Sequence, residues 1–258
     1  MAELLAVCRV HVLHPDAGTV GVTAIDKRPV DGRVKVRPLG LYADVQADRA
    51  NHGGRDQAVY AYAQEDADFW SAELGREVTP GLFGENLRTR GLDVNHAVIG
   101  ERWRVGTALL EVTQPRVPCQ TFGRRLGEQR WVRRFTQANR TGAYLRVIEN
   151  GEIGAGDTVE VVQKPAHGVT VADWFAGRYG VARGEGPTTG VVPERAADLA
   201  PVVGDAATLV PDEKGAPDPD TLEALAQRLL NAHAAGDIRL SVDMLRRTEQ
   251  AAGRAVVD

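Results

Sequence analysis

Cys119 and Arg116 are the residues whose chemistry is easiest to name. They stand in Pro115-Arg-Val-Pro-Cys119, within LLEVTQPRVPCQTFG at 109–123. Arg116, Arg124 and Arg125 are near in sequence, and positive charge favours the thiolate, the form that attacks electrophiles and ligates soft metals. Cysteine is also among the most buried residue types, a small hydrophobe in most folds. Both readings of Cys119 stand at this point. The prolines favour a strand end: Pro115 has no N–H to give to a ladder, and a residue before proline is held extended. A second group lies at Asn51-His-Gly-Gly-Arg-Asp-Gln57. Gly53 and Gly54 either form an ordinary turn or present bare N–H groups that cradle an anion. Lys27, His52, Arg55 and Arg116 would add positive charge if the fold gathers them. Asn86, in GLFGEN, either faces the same place or holds a turn. Neither a P-loop nor a dinucleotide fingerprint occurs.

The elements that must position these residues are short. LLAVCRVHVL (4–13), 20–25, 34–36, 58–62, 108–113, 142–148 and 158–162 read as strands, separated by glycine turns. Asp31-Gly32 and Asn150-Gly151 are hairpin signals. Gln64–Leu74 reads as a helix with Ala67, Trp70 and Leu74 on one face, closed by Gly75. A second helix is expected over Gly127–Ala138. Many short strands with few helices point to a closed sheet or barrel rather than to alternating βα units. The character changes after Pro165. Thr170-x-x-Asp173 opens a helix as a capping box. The stretch 184–220 is proline-rich and linker-like, with one short helix over 193–199. Two further helices follow over 222–230 and 242–252. The expected fold is therefore mainly β over residues 1–165, with a small helical appendage over 166–258.

Composition excludes several classes. The net charge of −4 argues against a nucleic-acid polymer as partner. No run of 18 apolar residues is present, so no membrane span is expected, and the N-terminus has no signal-peptide pattern. Two cysteines cannot build a disulfide framework, and a reducing cytoplasm is the expected compartment. Cys8 lies in an apolar strand and is expected in the core. The six histidines show no zinc-ligand spacing.

Residues 4–165 resemble the MOSC family, the domain named for the C-terminal region of molybdenum cofactor sulfurase. They are most similar to the bacterial branch linked to resistance against 6-N-hydroxylaminopurine. The resemblance is carried by AIDKRPVDG (24–32), GLYADVQADRANHGGRDQAVYAY (40–62), GLFGENL (81–87), IGERWRVGTALLEVTQPRVPC (99–119) and RTGAYLRVIENGEIGAGDTVEVV (140–162). HGVTVADWF (167–175) is similar to the start of that branch's three-helix appendage. Two positions depart. Ala43 stands where many relatives have glycine, and Thr121 where many have lysine, which removes one positive charge near the thiol.

The resemblance implies a β-barrel and a pocket for molybdenum cofactor (molybdopterin) or a related phosphate-bearing ligand. It places the family's basic residue on Lys27, its HGG segment on His52–Gly54 and its cysteine on Cys119. Cys119 would then ligate molybdenum or carry sulfur. A carrier role calls for a separate cysteine desulfurase, since no pyridoxal-phosphate lysine site is recognisable. A reductase role calls for a redox partner and a small-molecule substrate such as an N-hydroxylated base. A non-catalytic cofactor- or protein-binding module with an idle cysteine is the alternative.

Overall fold

A computed structural model describes residues 1–18, 20–47 and 53–181. The chain divides into two compact units, Met1–Thr189 and Gly190–Asp258. The second unit lies outside the described residues, as do the 184–220 insert and the helices expected beyond it.

Thirteen strands are present among the described residues: β1 Glu3–Val10, β2 His14–Pro15, β3 Val22–Thr23, β4 Lys27–Pro29, β5 Val34–Arg37, β6 Gly40–Leu41, β7 Val59–Ala63, β8 Leu87–Arg90, β9 Arg102–Val105, β10 Ala108–Pro115, β11 Ala143–Glu149, β12 Gly151–Ile153 and β13 Val159–Gln163. The helices are α1 Gln64–Leu74, α2 Gln120–Leu126, α3 Trp131–Ala138 and α4 Val171–Tyr179. The main sheet has eight strands in the order β13-β9-β10-β11-β7-β8-β1-β4. Its ladders are antiparallel except β7 with β8, which run parallel and are joined through α1.

The fold is mostly β with a large sheet, as expected, but no continuous ladder closes it into a barrel. Instead β1 and the chain before β13 are laced together near the sheet's ends. Leu4 N–H donates to Asp157 O at 2.8 Å, Val159 N–H to Ala2 O at 2.9 Å, and Glu3 bridges Thr158. Both hairpin signals are corrected. β4 pairs with β1, whereas β5 pairs with β12 and β6. β11 already has β10 and β7 on its two edges, so β12 has no edge of β11 to join. The Asp31-Gly32 and Asn150-Gly151 turns carry the chain between the main sheet and a three-stranded one.

The helices differ from the sequence reading in one place. Gly127 adopts φ 69° and ends α2 rather than opening a helix, and α3 begins at Trp131. Glycine takes this left-handed cap without steric penalty. Gly123 inside α2 weakened the helical pattern that would have revealed it. Helices α1, α2 and α3 bury Trp70, Phe122, Trp131 and Phe135 against Tyr60, Tyr62 and Phe83. Trp70 and Trp131 meet edge to face at 4.7 Å.

Helix α4 carries the expected capping box: Thr170 Oγ1 accepts from Asp173 N–H at 3.0 Å. It is tied to the β unit by Val171 N–H to Ala97 O at 3.0 Å and Ala172 N–H to Asn95 O at 2.9 Å. Val171 and Phe175 are fully buried. Among the described residues, no helix is long and apolar enough to cross a membrane.

Candidate functional site

The site is built where β10 runs out. All eight residues of β10 are buried, and Pro115 is its last, paired with Ala143. The next four residues form no regular structure, and Cys119 then stands extended (φ −125°) immediately before α2. Arg116, Val117 and Cys119 from this segment line a cavity of about 200 Å³. Lys27 from β4, Tyr60 from β7, Tyr144 from β11, and Phe83, Gly84 and Asn86 from the loop before β8 line the same cavity. The structure thus gathers four of the expected residues: Lys27, Asn86, Arg116 and Cys119. Gly53, Gly54 and Arg55 do not line it. Arg55 is exposed, and Gly54 N–H donates to Gln46 Oε1 at 3.1 Å. His52 lies outside the described residues.

Arg116 is the unusual cation. It is 6% exposed. Its Nη1 donates to Phe83 O at 2.5 Å, and its guanidinium sits 3.7 Å from the centre of the Phe122 ring and 5.2 Å from that of Tyr60. Among the described residues, no carboxylate lies within ion-pairing reach of it. Burial pulls its pKa down, but Tyr60, Tyr144 and Cys119 outweigh that and hold it above the ordinary arginine value. A buried cation without a carboxylate is expensive to maintain unless something anionic offsets it.

Lys27 is compensated within the protein. Its Nζ forms a short ion pair with Asp44, and the two side chains are 10% and 7% exposed. Asp44 also accepts from Val10 N–H and from Asn86 Nδ2, each at 2.8 Å. Asn86 spends its remaining groups on Cys8 O (3.1 Å) and Tyr60 N–H (3.1 Å). Asn86 therefore works as a clamp on the cavity floor. The loop carrying it is set by a fully buried pair, Glu85 and Arg88. Glu85 accepts from Gly81 N–H at 2.7 Å and Phe83 N–H at 3.1 Å. Gly81 needs φ 87°, and its backbone packs so closely on Lys27 O that a Cβ would collide there.

Arg124 and Arg125, expected to charge the thiol's surroundings, are both tied to aspartates. Arg124 binds Asp16 at 2.7 Å, and Arg125 binds Asp26 at 2.6 Å. The bond from Arg124 is the main reason the Asp16 carboxyl falls to about 2. Thr121 Oγ1 donates to the same carboxylate at 2.9 Å. These bonds fasten α2 to the segment holding the β2–β3 hairpin, which contributes Asp16, Gly18, Val20, Val22 and Thr23 to the cavity wall. Arg116 and Arg124 both feel the Cys119 sulfur electrostatically. Cys119 is half-buried, whereas Cys8 is fully buried and burial pushes its thiol up to about 12. Sequence reasoning missed Asp44, Gln46 and Gln57. The only signal for them was their position inside the 40–62 stretch, because no local spacing marks them.

A family model described as the MOSC domain matches residues 48–160. The chain is 36% identical over 156 residues to the uncharacterized protein YflK of Bacillus subtilis, covering 60% of this chain and 70% of YflK. The chain belongs to the MOSC domain family. Its branch is the YiiM-like one. This MOSC chain is 34% identical over 146 residues to YiiM of Escherichia coli, covering 55% of this chain and 65% of YiiM. The crystal structure of YiiM from Geobacillus stearothermophilus shares the fold at a TM-score of 0.58 and 28% identity, covering 69% of this chain and 84% of that one. A protein named reductase from Gibberella moniliformis is 33% identical over 147 residues, but the match spans 26% of its length.

Proposed function

We propose that this MOSC domain binds molybdenum cofactor, or a related phosphate-bearing ligand, in the cavity beside Cys119, and reduces small N-hydroxylated compounds. One observation carries the reading: a half-buried thiol and a buried arginine with no carboxylate partner among the described residues line the same cavity. The donor set fits such a ligand. The Cys119 sulfur suits a soft metal centre, and the planar Arg116 guanidinium suits a phosphate or another oxyanion. Val20, Val22, Val45 and Val117 supply apolar walls for a flat ring.

When bound, the molybdenum centre supplies a two-electron couple. The chain's own residues do the rest. Cys119 would hold the metal, and Arg116 would hold the ligand's anionic end. Lys27, braced by Asp44 and Asn86, offers further N–H donors at the floor. In the overall reaction the N–O bond breaks, two electrons and two protons enter, and amine and water leave. A redox partner returns the electrons. The partial match to a reductase supports this choice over sulfur transfer. A reducing cytoplasm is the compartment that suits a thiol in this role.

The test is intact mass and pterin analysis of the purified chain, followed by turnover of 6-N-hydroxylaminopurine with a supplied electron donor. Bound pterin and turnover that Cys119→Ser abolishes support the reading. A mass gain of one sulfur at Cys119 without pterin would replace it with a sulfur carrier fed by a cysteine desulfurase.

A further inference from the structure

The cavity beside Cys119 measures about 200 Å³, whereas pockets for small organic ligands run to about 300–1,000 Å³. A ligand that carries both a ring and a phosphate does not fit until a wall gives way. Most of the walls are fixed. Lys27, Tyr60 and Tyr144 stand on strands of the main sheet. The Phe83 loop is held by Glu85, itself paired with Arg88. The segment of Val45 is stitched down by Gln46, whose side chain donates to Gln57 O at 3.0 Å and accepts from Gly54 N–H at 3.1 Å. The β2–β3 hairpin differs. It forms a two-stranded sheet of its own, through the pairs His14–Thr23 and Pro15–Val22. Among the described residues, its backbone hydrogen bonds stay within the hairpin. Its wall residues Val20 and Val22 are 44% and 42% exposed, so burial does not anchor it either.

One carboxylate fastens this hairpin to α2. Asp16 Oδ1 accepts from Arg124 Nε at 2.9 Å and Asp16 Oδ2 from Arg124 Nη2 at 2.7 Å, a two-pronged bond. Thr121 Oγ1 donates to Oδ2 at 2.9 Å, and Gly18 N–H donates to the same oxygen at 3.0 Å. Both partners on α2 belong to the helix that begins immediately after Cys119. The Arg124 side chain is 42% exposed, so water and ions reach the pair. An ion pair so open to solvent is weak enough to break and remake readily. At the base of the hairpin, His14 Nε2 lies 3.2 Å from Asp26 Oδ2. Resting on the reading of this cavity as a ligand site, we propose that the β2–β3 hairpin is a latched strap. Release of Asp16 from Arg124 and Thr121 lets it swing off the cavity about its base, and a ligand too large for the closed cavity enters beside Cys119.

The experiment uses the full chain and two uncharged reagents, N-methylmaleimide and the much bulkier N-(1-pyrenyl)maleimide. Peptide mass spectrometry follows the rate of each at Cys119, with the buried Cys8 as the control for the fold. The variants are Asp16→Asn and Arg124→Gln, which break the latch from its two sides. Removing a charge changes the thiolate fraction at Cys119, but that change is common to both reagents and cancels in the ratio of their rates. The expected result is a rise of about fivefold in the bulky-to-small rate ratio in each variant, with Cys8 still unlabelled when Cys119 is complete. An unchanged ratio in either variant would overturn the strap. Labelling of Cys8 alongside Cys119 in a variant would show that the whole fold had loosened, which also overturns it. The labelling needs no bound ligand. A failed strap therefore leaves the proposed function standing, and failure of the parent to bind pterin would remove the proposed ligand while leaving the gating result intact.

Discussion

Removing Asp44 tests how the cavity floor is balanced. Its carboxylate meets Lys27 Nζ, Val10 N–H and Asn86 Nδ2, and the lysine side chain is only 10% exposed. Asp44→Ala strands a buried ammonium and two donors. Stranding a buried charge costs about 3–5 kcal/mol. Lys27 borders the cavity, so water reaches it and the expected loss lies near the lower end, about 3 kcal/mol. Lys27→Met is the informative contrast. Asp44 then keeps its bonds to Val10 and Asn86, and the loss should be about 1–2 kcal/mol. Urea unfolding of both variants at neutral pH measures the two values with a common slope check. Both variants falling within about 1 kcal/mol of the parent, or Lys27→Met proving the worse of the two, would refute the reading that Asp44 compensates a buried Lys27.

Iodoacetamide should modify Cys119 well before Cys8 in the native chain, because Cys8 is buried and its thiol is raised to about 12; equal slow labelling of both would count against a working Cys119. Ala43 holds φ 62°, a left-handed conformation that suits glycine. Ala43→Gly should therefore stabilise the chain by about 0.5–1 kcal/mol in urea unfolding, after the entropic disadvantage of glycine is subtracted. A chain ending after Val181 should unfold cooperatively. One ending at Pro165 should lose at least about 3 kcal/mol, because it discards the buried Phe175 of α4. Equal stability of the two truncations would show that α4 is a dispensable appendage.

The β-rich fold was legible because strand alternation and glycine turns recur along residues 1–165. Helix α1 was legible to the residue, since its apolar face and the left-handed Gly75 mark both its packing and its end. The capping box at Thr170 was equally clear. Strand partners were not legible. Asp-Gly and Asn-Gly turns favour hairpins locally, but β11 has both edges taken, and a turn signal carries no information about edges. Convergence of Lys27 with Arg116 and Cys119 came from the family resemblance, because residues so far apart in sequence meet only through sheet topology. Charge compensation was invisible for the same reason. Asp16 and Asp26 lie 108 and 99 residues from Arg124 and Arg125, and only the fold shows that these two arginines are paired while Arg116 has no carboxylate partner among the described residues.

Molybdenum content per chain decides whether Cys119 and Arg116 hold the cofactor. The parent and the Cys119→Ser and Arg116→Met variants would be produced in molybdate-supplied cells, purified at matched salt and assayed for metal by mass spectrometry. The expected result is molybdenum approaching one atom per chain in the parent, lost from Cys119→Ser and sharply reduced in Arg116→Met, with all three folded. Molybdenum absent from the parent, or retained undiminished in Cys119→Ser, would contradict it.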